Sequence, residues 1–248
     1  MDSPDSSDAA PSGSAFFDTT HWSVVSAAAD RVSPHAAAAL ERLCRTYWYP
    51  LYAYIRRKGY AAADAEDLTQ EFFFRLIGKN YLVSVDRRAG SFRSFLLASV
   101  NHLLANEWDK TQTLKRGGGH EIISLDAEQA EGRFAQEASI NDSPERAFDR
   151  NWALTILDGA MARLRDEFAA AGKLRQFDLL KGFLSDLAGD GDYAAVAREL
   201  GLDAGAVAVA VHRLRRRYRD IVRTEIAQTV TTEFELEAEM DHLFAALD

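Results

Sequence analysis

The sequence contains a single cysteine, Cys44, among 248 residues. It therefore cannot form an internal disulfide or a zinc site made of several cysteines, and this predicts a reducing, cytoplasmic environment. It contains no run of eighteen apolar residues, which excludes a membrane-spanning helix of ordinary length. The acidic segment MDSPDSSDAAPSGSA has neither the basic nor the apolar region of a secretory signal, so we expect none. Only five prolines and fifteen glycines interrupt the Ala-, Leu-, Arg- and Glu-rich sequence, and this favours helices over sheet.

Motifs typical of enzymes are also missing. The six histidines are scattered, without the spacing of an HExxH metal site. The glycine triplet at 117–119 is not followed by the Lys-Ser/Thr of a phosphate-binding loop. No GxSxG motif or Cys/His pair is present for a nucleophile. We therefore predict a protein that is not an enzyme and has no cofactor, metal or small-molecule substrate.

Charge is distributed unevenly along the chain, although its total is −9. Residues 36–116 carry a net charge of +5 and residues 191–223 carry +3. Residues 224–248 carry −7 and contain no lysine or arginine. Such alternating blocks indicate charged partners more clearly than the total charge does.

Composition shifts and helix breakers predict an all-α protein with two helical domains joined by a flexible linker. The predicted regions are a disordered N-terminus over 1–15, a helical domain over 16–116, an acidic linker over 117–142, a second helical domain over 143–224 and an acidic amphipathic extension over 225–248.

In the first domain, apolar residues recur at helical spacing over about 37–57, 64–78 and 91–110. Pro50 lies inside the first of these segments, so we expect a kink or a local break there. The third segment is apolar on nearly two faces. Packing against a neighbour explains that pattern, and contact with unstacked nucleic-acid bases is the alternative.

The helix that begins at Asp64 carries an unusual polar face. Glu66, Asp67, Gln70 and Glu71 share one side of it, with Phe74 in the middle. A solvated acidic face is one interpretation. The other is a docking surface for a basic helical partner, because an aromatic residue inside a charged rim is typical of interfaces.

The second domain contains a helix-turn-helix candidate. A short helix ends at Gly201, and Asp203 caps a longer helix that carries six arginines between Arg213 and Arg223. The predicted inner face consists of Val207, Val211, Leu214, Tyr218 and Ile221. A solvated helix end would also be basic, but the adjacent short helix and glycine turn favour a DNA-binding element whose arginines contact phosphates.

Residues 43–77 read LCRTYWYPLYAYIRRKGYAAADAEDLTQEFFFRLI. This segment resembles region two of bacterial RNA polymerase sigma factors of the extracytoplasmic-function (ECF) type, and DAEDLTQEFF is its most specific part. Two further segments resemble other regions of the same factors. The following −10-recognition segment resembles GSFRSFLLASVNHLLANEWDKTQTLKRGGG. Region four, which docks on the −35 element, resembles YAAVARELGLDAGAVAVAVHRLRRRYRDI. The resemblance spans about residues 19–223, and the acidic tail is similar to that of a long-tailed subgroup.

This resemblance implies a factor that binds core RNA polymerase, through the β′ clamp helices and the β flap, and directs promoter recognition and melting. The clamp helices would contact Glu66, Asp67, Gln70, Glu71 and Phe74. The −10 element would be contacted by Arg87, Arg88, Arg93, Asn101, His102, Asn106 and Lys110. The −35 element would be contacted by Gly205, Ala208, Val209, His212, Arg213, Arg215, Arg216 and Arg217. An anti-sigma factor is a further candidate partner, and no membrane is implied.

The chain departs from the family pattern at two places. Residues 206–210 read AVAVA where Thr-Val-Lys-Ser-Arg is common, so the recognition helix offers methyl groups rather than bidentate donors. His102 stands where asparagine is usual. Two alternatives therefore stay open: a stand-alone helix-turn-helix regulator that binds duplex DNA, and a polymerase-binding antagonist that has lost promoter recognition.

The acidic tail has its own pattern. Thr232 and Glu235 form a predicted capping box in front of an apolar stripe from Leu236 to Leu247. Because a helix of this kind cannot bury its stripe alone, we expect it to pack beside the recognition helix and to compete with DNA phosphates. The alternative is that it completes the core of the second domain or meets a polymerase subunit.

Overall fold

The computed structural model describes residues 34–78, 91–111, 127–137, 142–184, 192–230 and 232–248. Within these residues all regular structure is helical and no strand occurs, which confirms the predicted all-α class. None of the described helices is long and apolar enough to cross a membrane.

Nine α-helices lie in the described residues. In chain order they are α1 (Pro34–Arg57), α2 (Ala62–Gly78), α3 (Phe92–Thr111), α4 (Ala127–Glu137), α5 (Pro144–Ala170), α6 (Leu174–Leu180), α7 (Asp192–Leu200), α8 (Ala204–Ala227) and α9 (Glu233–Ala245). A 3₁₀ turn, Lys181–Leu184, continues α6.

The chain divides into two compact units. Unit 1 lies within Met1–Trp152 and Ala227–Asp248, and unit 2 is Ala153–Ile226. Unit 1 therefore contains α1 to α4, the start of α5, and α9. Unit 2 contains the rest of α5, then α6, α7 and nearly all of α8.

Aromatic residues of α1 form the centre of unit 1. Tyr47 and Tyr54 are fully buried. The Tyr47 ring meets the edge of Phe92 of α3 at 5.5 Å between centroids. The Tyr54 ring meets Phe148 of α5 at 6.2 Å. Helix α1 thus organises the unit by packing on both α3 and α5.

A kink or a local break was expected at Pro50, but helix α1 runs from Pro34 to Arg57 as one helix with Pro50 inside it, so no break occurs there. An internal proline costs a helix about 3 kcal/mol, through a missing hydrogen bond and a ring clash. Leu51 and Tyr54 follow it and are fully buried, and burying each such side chain stabilises by about 1.5–3 kcal/mol. Tertiary packing therefore outweighs the local preference.

The segment 117–142, expected to be a linker without regular structure, contains helix α4. The expectation was wrong for the residues of α4. Arg56 of α1 donates from Nε and Nη2 to the two carboxylate oxygens of Glu131, at 3.1 and 2.7 Å. Its guanidinium also lies 4.6 Å from the ring centroid of Phe134. A helix held by charge and cation–π contacts does not need an apolar stripe. Periodicity of apolar residues therefore did not predict α4.

Unit 2 has a separate core between α5, α6 and α8. Leu164, Phe177 and Leu214 are buried, with at most 1% of their surface exposed. The Tyr218 hydroxyl of α8 donates to the carbonyl oxygen of Leu157 in α5 at 3.0 Å. These contacts fix α8 by one side and leave its other side at the surface.

Candidate partner and nucleic-acid interfaces

Helices α7 and α8, which form the helix-turn-helix candidate, are joined by a short turn at 201–203. Gly201 has a φ of 66°, the left-handed conformation that ends α7 in a tight turn. The amide of Leu202 then donates to the carbonyl oxygen of Ala197 at 2.9 Å. Asp203 Oδ1 accepts from the amide of Ala206 at 2.7 Å, which confirms the predicted cap of α8.

The two faces of α8 differ as the spacing predicts. On the inner face, Val207, Val211, Leu214 and Ile221 are at most 2% exposed. The positions predicted to face a DNA groove are all exposed: Gly205, Ala208, Val209 and His212. Val209 exposes 50% of its surface, although it is apolar. The outer face of α8 is therefore an exposed surface of small and apolar groups bordered by arginines.

The arginines of α8 are not equivalent. Arg217 donates from Nε and Nη2 to the two carboxylate oxygens of Glu167 in α5, at 2.8 and 2.6 Å. Hydrogen bonding from Arg217 holds the pKa of Glu167 below its ordinary value. Arg215 donates from Nε to the carbonyl oxygen of Phe183 at 2.8 Å.

Arg213 and Arg216 are also exposed. The partnership of Arg217 with Glu167 was missed at the sequence level because 50 residues separate the two, and no local spacing rule connects them.

The acidic face predicted on α2 lies at the surface of unit 1. Phe74 exposes 48% of its surface despite being a large apolar side chain. Its polar neighbours are partly or fully exposed: Glu66, Asp67, Gln70 and Glu71. The opposite side of the helix is buried: Ala65, Thr69, Phe72, Phe73 and Leu76. The five residues predicted to meet one partner are thus brought together on one surface.

Arg75 crosses the edge of this acidic face. Its Nε donates to Glu71 Oε1 at 2.6 Å, and its Nη2 donates to Glu107 Oε1 of α3 at 3.3 Å. The i,i+4 spacing of Glu71 and Arg75 was the sequence signal for this pair. Since Arg75 compensates Glu71, the exposed carboxylate of Asp67 carries more of the negative charge that this surface presents.

The residues predicted for −10 DNA do not form one exposed surface. Asn101 and His102 are exposed and Asn106 is half-buried. The Tyr54 hydroxyl donates to Asn101 Oδ1 at 2.7 Å. The side-chain oxygen of Asn101 therefore already has a hydrogen-bond partner within unit 1. Arg87, Arg88 and the side chain of Lys110 lie outside the described residues.

Arg93, by contrast, is only 8% exposed and lies in a group of charged residues that we call the Arg93 cluster. Its Nε and Nη2 donate to the two carboxylate oxygens of Glu239 in α9, at 3.3 and 3.4 Å. Its Nη1 donates to Asp149 Oδ1 at 2.5 Å, and its Cζ is 5.4 Å from the ring centroid of Trp152. His242 of α9 completes the cluster, with Nε2 at 3.1 Å from Asp149 Oδ2.

The charge of Arg93 is stabilised inside this cluster. Burial disfavours the charged guanidinium, but the carboxylates of Glu239 and Asp149 outweigh burial and raise the pKa of Arg93 overall. The cluster was not predictable from the sequence, because 146 residues separate Arg93 from Glu239. Nothing local in either segment indicates the pairing.

Helix α9 starts with the capping box predicted from Thr232 and Glu235, with both hydrogen bonds at 3.2 Å. Its buried stripe is Leu236, Met240 and Leu243. However, α9 belongs to unit 1 and pairs with Arg93, whereas we expected the tail to pack beside the recognition helix of the second domain. The structure corrects that expectation, because the sequence shows the stripe but not the surface that receives it.

Comparisons with known protein families, with curated proteins and with solved structures found no match.

Within the described residues, no group of three or more His, Cys, Asp or Glu side chains could hold a metal ion. Burial raises the pKa of Cys44 to about 11, so its sulfur is held as the unreactive thiol.

Proposed function

We propose that this protein is a sigma factor of the ECF type, which binds core RNA polymerase in the cytoplasm and directs it to promoters. In this proposal the polymerase supplies the active site, and the chain supplies recognition. The observation that carries it is the presence of two surfaces in one chain. One is a helix-turn-helix candidate with an exposed outer face, and the other is an acidic helix face with an exposed aromatic residue.

The surface of α8 supports binding to duplex DNA. A recognition helix is held by its inner face while its exposed residues enter the major groove. Here the inner face is buried in unit 2 and the outer face exposes Arg213 and Arg216 beside small residues. Arginines supply affinity through phosphates, and the methyl groups of Ala208 and Val209 suit contacts with thymine methyl groups.

The surface of α2 supports docking on a basic protein helix. The exposed half of Phe74 would be buried by a partner, and acidic groups beside it would complement a positive surface. A simple repressor has no need for such a surface, whereas a factor that recruits the polymerase does.

Binding to promoter-length duplex DNA tests the first surface. The double substitution Arg213→Ala/Arg216→Ala should weaken binding and lower the salt dependence of log K by about 0.9 for each phosphate that the variant no longer neutralises. Arg45→Ala provides a matched control, since Arg45 is an exposed arginine of unit 1 paired with Glu41 at 2.6 Å. Equal affinities and equal salt slopes for all three proteins would contradict the assignment of α8.

Co-purification of the wild-type chain with core RNA polymerase distinguishes the proposal from a stand-alone regulator. The proposal predicts a stable complex that forms without DNA. Binding to duplex DNA without any binding to the polymerase would support the regulator instead.

A further inference from the structure

The Arg93 cluster places a carboxylate where nucleic-acid phosphate binds an arginine. Two parallel hydrogen bonds from one guanidinium to two oxygens are the arrangement by which arginine holds phosphate groups. In this chain Nε and Nη2 of Arg93 are both directed to Glu239, at 3.3 and 3.4 Å. Glu239 therefore occupies the side of Arg93 that a backbone phosphate would use.

Burial reinforces this competition. Arg93 is 8% exposed and Glu239 is 7% exposed, so no nucleic acid reaches the guanidinium while α9 is in place. A buried ion pair is weak evidence for a stabilising role, because the desolvation of the two charges offsets most of their attraction. Two carboxylates, those of Glu239 and Asp149, contact this one arginine. Arg93 would therefore keep Asp149 as a partner if a phosphate replaced Glu239.

Helix α9 buries one side and exposes the other. Leu236, Met240 and Leu243 are buried, whereas Phe234 and Phe244 expose 83% and 54% of their surfaces. The capping box satisfies two backbone amides, those of Thr232 and Glu235, from within the segment itself. Helix α9 is therefore held by three buried apolar side chains together with polar contacts of Glu239 to Arg93 and of His242 to Asp149.

We infer that α9 is an autoinhibitory latch, in which Glu239 acts as an internal phosphate mimic that keeps Arg93 from single-stranded nucleic acid. This inference rests on the proposed function, which gives Arg93 a role at the melted −10 strand. When α9 leaves, Arg93 becomes exposed and the backbone phosphate of the strand takes the position of the Glu239 carboxylate.

The test compares full-length variants that differ by one negative charge. Glu239→Gln removes the charge that faces Arg93. Asp241→Asn removes a charge from the exposed side of the same helix and is the matched control. The readout is the anisotropy of a fluorescein-labelled single-stranded DNA oligonucleotide, measured over a series of salt concentrations without polymerase.

The latch predicts that Glu239→Gln binds the oligonucleotide about tenfold more tightly than wild type, because a larger fraction of the chain is competent to bind. The salt slope should also steepen by about 0.7, the value for neutralising one further phosphate of a single strand. Asp241→Asn should change affinity by less than about twofold, since its charge is screened by solvent. Adding Arg93→Ala to Glu239→Gln should remove the gain.

Equal affinities of Glu239→Gln and Asp241→Asn would overturn the inference, and so would a gain that survives Arg93→Ala. Hydrogen exchange on the wild-type chain gives a readout that needs no variant. Saturating oligonucleotide should accelerate exchange of the α9 amides, and unchanged protection of α9 in the bound chain would overturn the latch. Since neither measurement uses polymerase, failure of the latch is distinguishable from failure to bind core enzyme.

Discussion

Truncation of Phe74 should weaken binding to core RNA polymerase without disturbing the fold. Phe74 exposes 48% of its surface on α2. An aromatic side chain buries about 150–250 Å² in an interface, so roughly 100 Å² is available for a partner to cover. At about 25 cal/mol per Å² this corresponds to about 2.5 kcal/mol, or a loss of affinity of up to ~70-fold.

The assay is titration of core polymerase with Phe74→Ala, with circular dichroism to verify the helix content. Phe234→Ala is the matched control, because Phe234 is 83% exposed but lies on α9 rather than α2. Asp67→Lys is the companion charge reversal. It is cleaner than Glu71→Lys, which would place a second cation beside Arg75, now 2.6 Å from Glu71. If Phe74→Ala and Asp67→Lys both bind as tightly as the control, the docking role of α2 is refuted.

The remaining predictions concern stability and its pH dependence. Gly201→Ala should lower the free energy of unfolding by about 1–2 kcal/mol, because φ at Gly201 is 66°. Gly159→Ala, in the helical interior of α5 where an added Cβ would meet no neighbouring atom within 4 Å, should raise it by about 0.5–1 kcal/mol; thermal melts that shift both variants in the same direction would contradict this. Thr232→Ala should destabilise α9 by about 1 kcal/mol through removal of the cap, seen as faster hydrogen exchange confined to that helix. The hydrogen bond from Arg56 lowers the pKa of Glu131 below its ordinary value, so its contribution to stability is complete above the ordinary pKa of a glutamate and is lost as pH falls through the lowered value. Denaturant melts over an acid pH series should therefore show a smaller decline for Glu131→Gln than for wild type, and identical declines would contradict it.

The helical elements with apolar stripes were predictable because local spacing determines them. The inner face of α8 is an example: Val207, Val211 and Leu214 recur at helical spacing, and all three are buried. The caps were also predictable, since Asp203 and Thr232 accept hydrogen bonds from amides three residues further along the chain. Such features depend only on neighbours within one or two turns.

Features that depend on distant charges were not predictable. Helix α4 was missed because it is held by contacts with distant residues, among them those of Glu131 and Phe134 with Arg56 of α1. The burial of Arg93 was missed for the same reason: its partners Asp149 and Glu239 come from two other helices. From the sequence alone, a charged residue is interpreted as solvated or as binding nucleic acid. Only the folded chain shows which charges are already paired with one another.

In vitro transcription of fragmented genomic DNA from the source organism tests the central claim most directly. Core RNA polymerase would be supplied with or without this chain, and the 5′ ends of the transcripts would be mapped. The account predicts new start sites that depend on the chain and are preceded by two shared sequence elements, one at each position where a domain is proposed to bind. Identical start sites with and without the chain, in a reaction where the chain is shown to be bound to the polymerase, would contradict it.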